Sequence, residues 1–390
     1  MLLLLALACT PDTGRDPTDR TADPGPDDTG DTDTGDTDTG DTVPVDGCRA
    51  TPAAADRDRA VLVSLPYTAA ADRSDVWAVL TLSAGGTLSD PGTRVTMGRA
   101  SSGEVAFTPD GSLAFAVTED GTLGVYDVTQ GVVVHEAYDG GFYANRVVVD
   151  PSGEVAWIVD GNWANNGGGL YRVDIDCETG ALSGATRVLE AKLPSELLWF
   201  DDGALLVGRE VAGADPDDDV ARLSWGDTPA FVGGADAFGD NDAVVSDAAI
   251  VGDWLLISDI SEFSGVPTRV ARVRLGDGLA VESSVEIEDP MSLVPFPDGS
   301  ARVLVASGYG DAYFVLDADA GTTTSVSASR VQLPNALVPV TRGPLDGHVL
   351  GSEVGGLRQL QLGAGGVTDL GVYSLGDGLD ALPGAIGVAP

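Results

Sequence analysis

Carboxylates are the groups with which this chain is best equipped to do chemistry. It holds 61 Asp and Glu against 21 Lys and Arg, and only two histidines, His135 and His348. The run Asp215, Asp217, Asp218 and Asp219 offers clustered oxygen ligands. It reads either as a calcium loop or as a solvated acidic loop. A second tract runs from Asp31 through Asp33, Asp36 and Asp38 to Asp41. Here the third acid of an EF-hand-type loop is displaced by one residue and no closing Glu follows, so the readings are a flexible stalk or weak calcium binding. Cys48 and Cys177 are a disulfide pair if the chain is exported, and two separate thiols otherwise. No histidine pair, cysteine cluster or nucleophile elbow occurs in the sequence, so nothing in it supports zinc or Ser-His-Asp chemistry.

These residues must be positioned by short strands. The clearest unit reads Val105–Phe107, then Asp110-Gly111, Leu113–Val117, Gly121, Leu123–Val128 and Val132–Val134. Each piece is a brief apolar or β-branched run bounded by Gly, Asp or Pro, which is the signature of strands joined by tight turns. Related turns place glycines at 111, 153, 203, 252, 299 and 347, separated by 42, 50, 49, 47 and 48 residues. A strand pattern at that period predicts propeller blades of four strands each. Six complete blades are visible, with inner strands near Val105, Val147, Leu197, Val245, Leu293 and Leu337. A seventh is split: Val61–Leu65, Val76–Leu82 and Arg94–Met97 lack an inner strand, and Gly384–Pro390 repeats the pattern of Gly103–Pro109. The expected fold is therefore all-β, a seven-bladed β-propeller whose first blade is closed by the C-terminal strand. Closure removes exposed sheet edges.

The segment Val105-Ala-Phe-Thr-Pro-Asp-Gly-Ser-Leu-Ala-Phe-Ala-Val117, with Gly121-Thr-Leu-Gly-Val-Tyr-Asp127, resembles the repeat of the YVTN and lactonase-like bacterial propellers. Leu193-Pro194, Leu333-Pro334 and Leu382-Pro383 share its proline-led strand entries. The resemblance spans about residues 57–390 and is specific for fold rather than activity. Met1–Ala8 followed by Cys9 resembles the end of a bacterial lipoprotein signal, which implies export and lipidation of Cys9. The domain reading is then a signal over 1–9, a disordered Asp/Thr/Gly linker over 10–47 and the propeller over 48–390. The linker holds twelve Asp and two Arg and almost no large apolar side chain, so it cannot offset its ordering entropy. A cell-envelope location, in the outer membrane or periplasm, follows as an expectation.

Net charge is −40 and Lys192 is the only lysine. Such a surface disfavours nucleic acid and anionic headgroups. The expected partners are an envelope protein or glycan, with membrane attachment through the N-terminal lipid only and a monomeric chain. In a propeller, residues that open the inner strands ring the central axis. Here they are Glu104, Asn145, Arg146, Ser195, Glu196, Asp242, Ser292 and Asn335. They either form a ligand site or satisfy backbone groups and channel water. Trp163, in the loop 160–169, could stack on a ligand or simply pack. The leading functional reading is a non-enzymatic binding module using this loop face. The alternatives are a metal-dependent hydrolase of the lactonase type, with Glu104, Glu196, Asp242 and Asn335 about one calcium or magnesium ion, and a purely structural envelope protein.

Overall fold

The computed structural model describes residues 47–67, 74–161, 168–211, 218–226, 228–239, 243–261, 267–276, 278–375 and 382–390. The chain divides into Met1–Pro44 and Val45–Pro390. The lipidation candidate Cys9 and the acidic linker lie outside the described residues.

Seven antiparallel sheets make the ring. The inner strands are Ile386–Val388, Val105–Phe107, Ala144–Val149, Leu193–Phe200, Val245–Val251, Pro290–Pro295 and Leu337–Pro339, for blades 1 to 7. The second strands are Arg59–Ser64, Leu113–Val117, Val155–Asp160, Gly203–Arg209, Trp254–Asp259, Arg302–Ser307 and His348–Glu353. The third strands match the expected ones to within a residue or so, from Leu123–Asp127 in blade 2 to Gly356–Gly363 in blade 7.

Each second strand is buried on both sides, which is why it reads as an unbroken apolar run such as Leu-Ala-Phe-Ala-Val or Trp-Leu-Leu-Ile-Ser-Asp. Its period of two decides which neighbour each residue meets. Leu113 and Phe115 pack toward blade 3, whereas Ala114 and Ala116 pack toward blade 1. Ala156 and Ile158 join blade 2, and Val155, Trp157 and Val159 join blade 4. The hydrophobic core is thus seven interfaces in a ring, one between each pair of neighbouring blades. Outer strands are largely exposed and tolerate breakers. In blade 1 the outer strand is Leu88–Thr96, longer than the expected Arg94–Met97. It carries Pro91 where only one edge is paired, opposite a register shift at Val79 and Thr81.

The C-terminal strand closes blade 1 through Val61↔Val388, Leu62↔Gly387 and Val63↔Ile386. It also meets blade 2, where the Ile386 N–H donates to the Gly103 carbonyl at 3.1 Å.

Residues 47–58 run across the lower face, the face of the first-to-second-strand hairpins. Cys48 and Cys177 are bonded, joining this strap to the turn after the third strand of blade 3. The Cys48 N–H donates to Glu154 Oε1 at 3.0 Å. Arg49 donates to the Cys177 carbonyl at 3.0 Å and to Ser112 Oγ. The Ala53 N–H donates to the Pro109 carbonyl at 3.2 Å. With a separation of 129 residues, the bond restricts a long loop of the unfolded chain, and such bonds contribute about 2–4 kcal/mol. A Cys48→Ser, Cys177→Ser variant is expected to melt several degrees lower than the oxidised protein by differential scanning calorimetry. Coincident transitions would assign the strap no share of stability.

Candidate functional site: an ion cluster on the propeller axis

The upper face holds the second-to-third-strand loops and the passages from each outer strand to the next inner one. At the start of each inner strand one residue precedes two small or apolar ones: Glu104-Val-Ala, Arg146-Val-Val, Glu196-Leu-Leu, Asp247-Ala-Ala, Ser292-Leu-Val, Ala336-Leu-Val and Ala385-Ile-Gly. These seven positions form one layer around the axis, polar on blades 2 to 6 and alanine on blades 7 and 1.

Arg146 is the centre of that layer. Its Nε lies 2.5 Å from Glu196 Oε2, and its Nη2 lies 3.3 Å from Asp247 Oδ1. Arg146 therefore ties blade 3 to blades 4 and 5, while Glu104 acts on it from blade 2. Asp247 is fixed on all sides. Its Oδ2 accepts the Leu293 N–H at 2.7 Å and the Ser292 hydroxyl at 2.9 Å, and its Oδ1 accepts the Ala248 N–H at 2.8 Å. Ser292 Oγ in turn accepts the Leu337 N–H at 3.2 Å, carrying the network into blade 7.

Three carboxylates face one guanidinium, so the cluster resists full ionisation. Burial raises Glu196 to about 8, against the pull of Arg146 and with the charges of Asp247 and Glu104 adding to the rise. Burial raises Glu104 to about 6, again opposed by Arg146. Asp247 is also raised, by burial, with Arg146 and its N–H and hydroxyl donors opposing. Arg146 is held firmly charged: burial works against it, but Glu196, Glu104 and Asp247 outweigh that cost.

Of the residues expected on the axis, the structure brings Glu104, Arg146, Glu196 and Ser292 together. Asn145 is exposed. Ser195 falls at the register shift beside Glu196. Asn335 sits one residue before the layer, and its Nδ2 donates to the Ser101 carbonyl at 3.3 Å. Asp242 and Trp163 lie outside the described residues. The blade 5 member is Asp247, missed because a bulge between Val245 and Ala248 sets it deeper in the strand. The signal that would have found it is the repeated pattern of one polar residue before two small or apolar ones.

Asp215 and Asp217 also lie outside the described residues. Asp219 is buried rather than offered to a cation. Its Oδ2 accepts the Ala237 N–H at 3.0 Å and the Phe238 N–H at 3.1 Å, and burial raises its carboxyl to about 7. It is placed to satisfy backbone donors of the passage into blade 5. His135 and His348 lie on an outer strand and a second strand, away from the axis.

The described axial carboxylates do not bring three ligand atoms within 4.8 Å of one another. Among the described residues Cys48, Glu154 and Cys177 form the one group of three or more metal-ligating side chains with ligand atoms within 4.8 Å of one another, and the two sulfurs are bonded to each other. On the axis the positive charge is a guanidinium of the chain's own.

Fold and site together define a seven-bladed propeller with a built-in ion cluster on its axis. No family model matches the chain, and no curated protein matches its sequence. Solved structures do match. A 6-phosphogluconolactonase-like protein of Bacteroides fragilis is 13% identical with TM-score 0.54, over 87% of this chain and 100% of that one. A functionally unknown protein of Desulfotomaculum acetoxidans is 13% identical with TM-score 0.52, over 85% and 98%. A dihydro-heme d1 dehydrogenase is 12% identical with TM-score 0.51, over 86% and 76%. At such identities the likeness is one of fold. The fold is shared with a lactonase-like propeller and with proteins of other kinds.

Proposed function

We propose that the protein is a non-enzymatic binding module of the bacterial cell envelope that presents its upper loop face to a protein or glycan. The observation that carries this reading is Arg146. Its ion pairs with Glu196 and Asp247 engage the axial groups with one another, leaving the surrounding loops as the surface for a partner. The acidic surface favours a partner with positive or hydrogen-bonding groups.

A hydrolase of the lactonase type is the second reading. Its support is Glu196 and Glu104, raised to about 8 and about 6, in the range where a carboxyl serves as a general acid. Thermal unfolding of the full chain with calcium, with magnesium and with chelator separates the two. The binding-module reading expects coincident curves, no turnover of a lactone panel, and a discrete cross-linked partner from envelope fractions. A saturable rise, about 2.7 kcal/mol at a hundredfold excess over Kd, together with lactone turnover, would replace it with the hydrolase.

A further inference from the structure

Three ligand-type side chains meet on the lower face, apart from the axial site. Cys48, Cys177 and Glu154 each bring a sulfur or a carboxylate oxygen to one spot, all within 4.8 Å of one another. The two cysteines are exposed and Glu154 is half-buried, so an ion and water have access. Glu154 Oε1 accepts the Cys48 N–H at 3.0 Å and stands 3.8 Å from the Cys177 sulfur. No ion pair engages Glu154 among the described residues.

Neither cysteine relies on the sulfur–sulfur bond alone for its place. Gly47 and Arg49, on either side of Cys48, lie hard against the blade 3 hairpin. A Cβ on Gly47 would fall 2.2 Å from the Ser152 carbonyl oxygen, and one on Gly153 would fall 2.6 Å from the Arg49 Cβ. The Arg49 carbonyl accepts the Asp110 N–H at 3.2 Å, and its guanidinium donates to the Cys177 carbonyl at 3.0 Å. Cys177 itself sits in a turn closed by Asp176. The Asp176 Oδ1 accepts the Thr179 N–H at 2.8 Å and the Glu178 N–H at 3.1 Å, and the Asp176 carbonyl accepts the Gly180 N–H at 2.9 Å. None of these contacts runs through a sulfur, so opening the bond leaves two thiols and a carboxylate facing one another.

We infer that the reduced chain holds a divalent transition-metal ion, zinc by its donor set, between Cys48, Cys177 and Glu154. Two thiolates and a carboxylate suit zinc rather than calcium or magnesium, which take oxygen ligands alone. With Zn–S bonds of about 2.3 Å, two sulfurs on a tetrahedral ion stand about 3.8 Å apart. Side-chain rotation reaches that spacing from Cα atoms 5.8 Å apart. Three protein ligands leave the fourth position to water. The disulfide takes up two electrons and two protons from a dithiol reductant, which itself becomes a disulfide, and the ion then displaces both thiol protons to solvent. The ion clamps the strap to blade 3 in the reduced chain, as the disulfide does in the oxidised one. The site goes beyond the upper-face reading and does not depend on it.

The test uses the full chain reduced with a phosphine, which is oxidised in place of the dithiol and leaves no competing thiol in solution. Titration with cobalt(II), a spectroscopic stand-in for zinc, should bring up thiolate-to-cobalt charge transfer in the near ultraviolet and the intense visible bands of a four-coordinate ion. The signal should saturate at one ion per chain and be reversed by zinc. The oxidised chain and the Cys48→Ser variant should show neither band. Glu154→Gln keeps both thiols and an oxygen to accept the Cys48 N–H. It should bind at least about tenfold more weakly, the scale on which even indirect supports of a metal ligand act. Reduced protein should also melt higher with zinc than with chelator. A reduced wild type without the charge-transfer band, or a Glu154→Gln protein of unchanged affinity, would overturn the inference. So would equal affinity in the urea-unfolded reduced chain, because two loose thiols would then suffice.

Discussion

Removal of residues 381–390 is expected to cost the protein its cooperative fold. Those residues supply the inner strand of blade 1, and among the described residues every other strand already belongs to a sheet of the ring. Ala385, Ile386 and Ala389 are each no more than 1% exposed. Ile386 belongs to the core between blades 7 and 1, and Ala385 to the core between blades 1 and 2, so one deletion opens two of seven interfaces. It also breaks the ladder with the second strand, including Ser64 N–H to the Ala385 carbonyl at 2.9 Å and Ala389 N–H to the Ala60 carbonyl at 2.9 Å. Truncating a single buried Ile typically costs 2–5 kcal/mol. The whole strand therefore removes more than about 5 kcal/mol, the scale of a domain's net stability. The freed edge of Arg59–Ser64 would also invite aggregation. Circular dichroism melting should show a broad, much lowered or absent transition. An unchanged melting temperature would mean that the ring does not depend on this closure.

Arg146→Met should cost about 3–5 kcal/mol near pH 8, because it strands buried carboxylates without their cation. The sign of the pH dependence follows from the raised carboxyls. A carboxyl whose folded pKa exceeds its unfolded value contributes stability that is complete below the unfolded pKa and is lost as pH rises through the folded one. Glu104 at about 6, Asp219 at about 7 and Glu196 at about 8 therefore predict that wild-type stability falls from about pH 4.5 to 8. His348 and His135 are lowered by burial and act the other way, removing stability as pH falls below about 6.5. Between pH 6.5 and 8 only the carboxyl slope remains. In Arg146→Met the carboxyls hold their protons more firmly, so the deficit should shrink toward pH 5, where Glu196 is protonated in both proteins. Urea titrations at pH 5 and pH 8 measure this directly. A deficit that does not change with pH would show that Arg146 acts through packing alone.

The blades were legible because their determinants are local. Asp110-Gly111 makes its turn with residues that any turn of that shape needs. Alternation along Leu113–Val117 states which side each residue faces. Closure by Gly384–Pro390 could be read because it repeats the pattern of Gly103–Pro109. The axial cluster was only half legible. Glu104, Arg146 and Glus like Glu196 announce themselves as charges at strand entries, but which of them meet depends on depth along the strand. That depth is set by bulges, and a bulge such as that between Val245 and Ala248 leaves no mark in composition. Asp219 was misjudged for a related reason. A run of acids reads as solvated or cation-binding, and nothing in the run tells which member turns inward to meet the Ala237 and Phe238 N–H groups.

The bond between Cys48 and Cys177 has a mechanical meaning as well as a thermodynamic one. Tension applied to the chain ahead of residue 48 arrives at a covalent junction with blade 3 before it reaches anything held by hydrogen bonds. From there the load passes into the turn after the third strand of that blade, and the strap 49–58 carries little of it. The strand Arg59–Ser64, paired to the C-terminal segment along the seam of the ring, is thereby shielded. Without the bond, the same pull would travel down the strap to Arg59 and peel the second strand of blade 1 from its partner one hydrogen bond at a time. The disulfide thus places the point of mechanical attachment away from the seam that closes the circle.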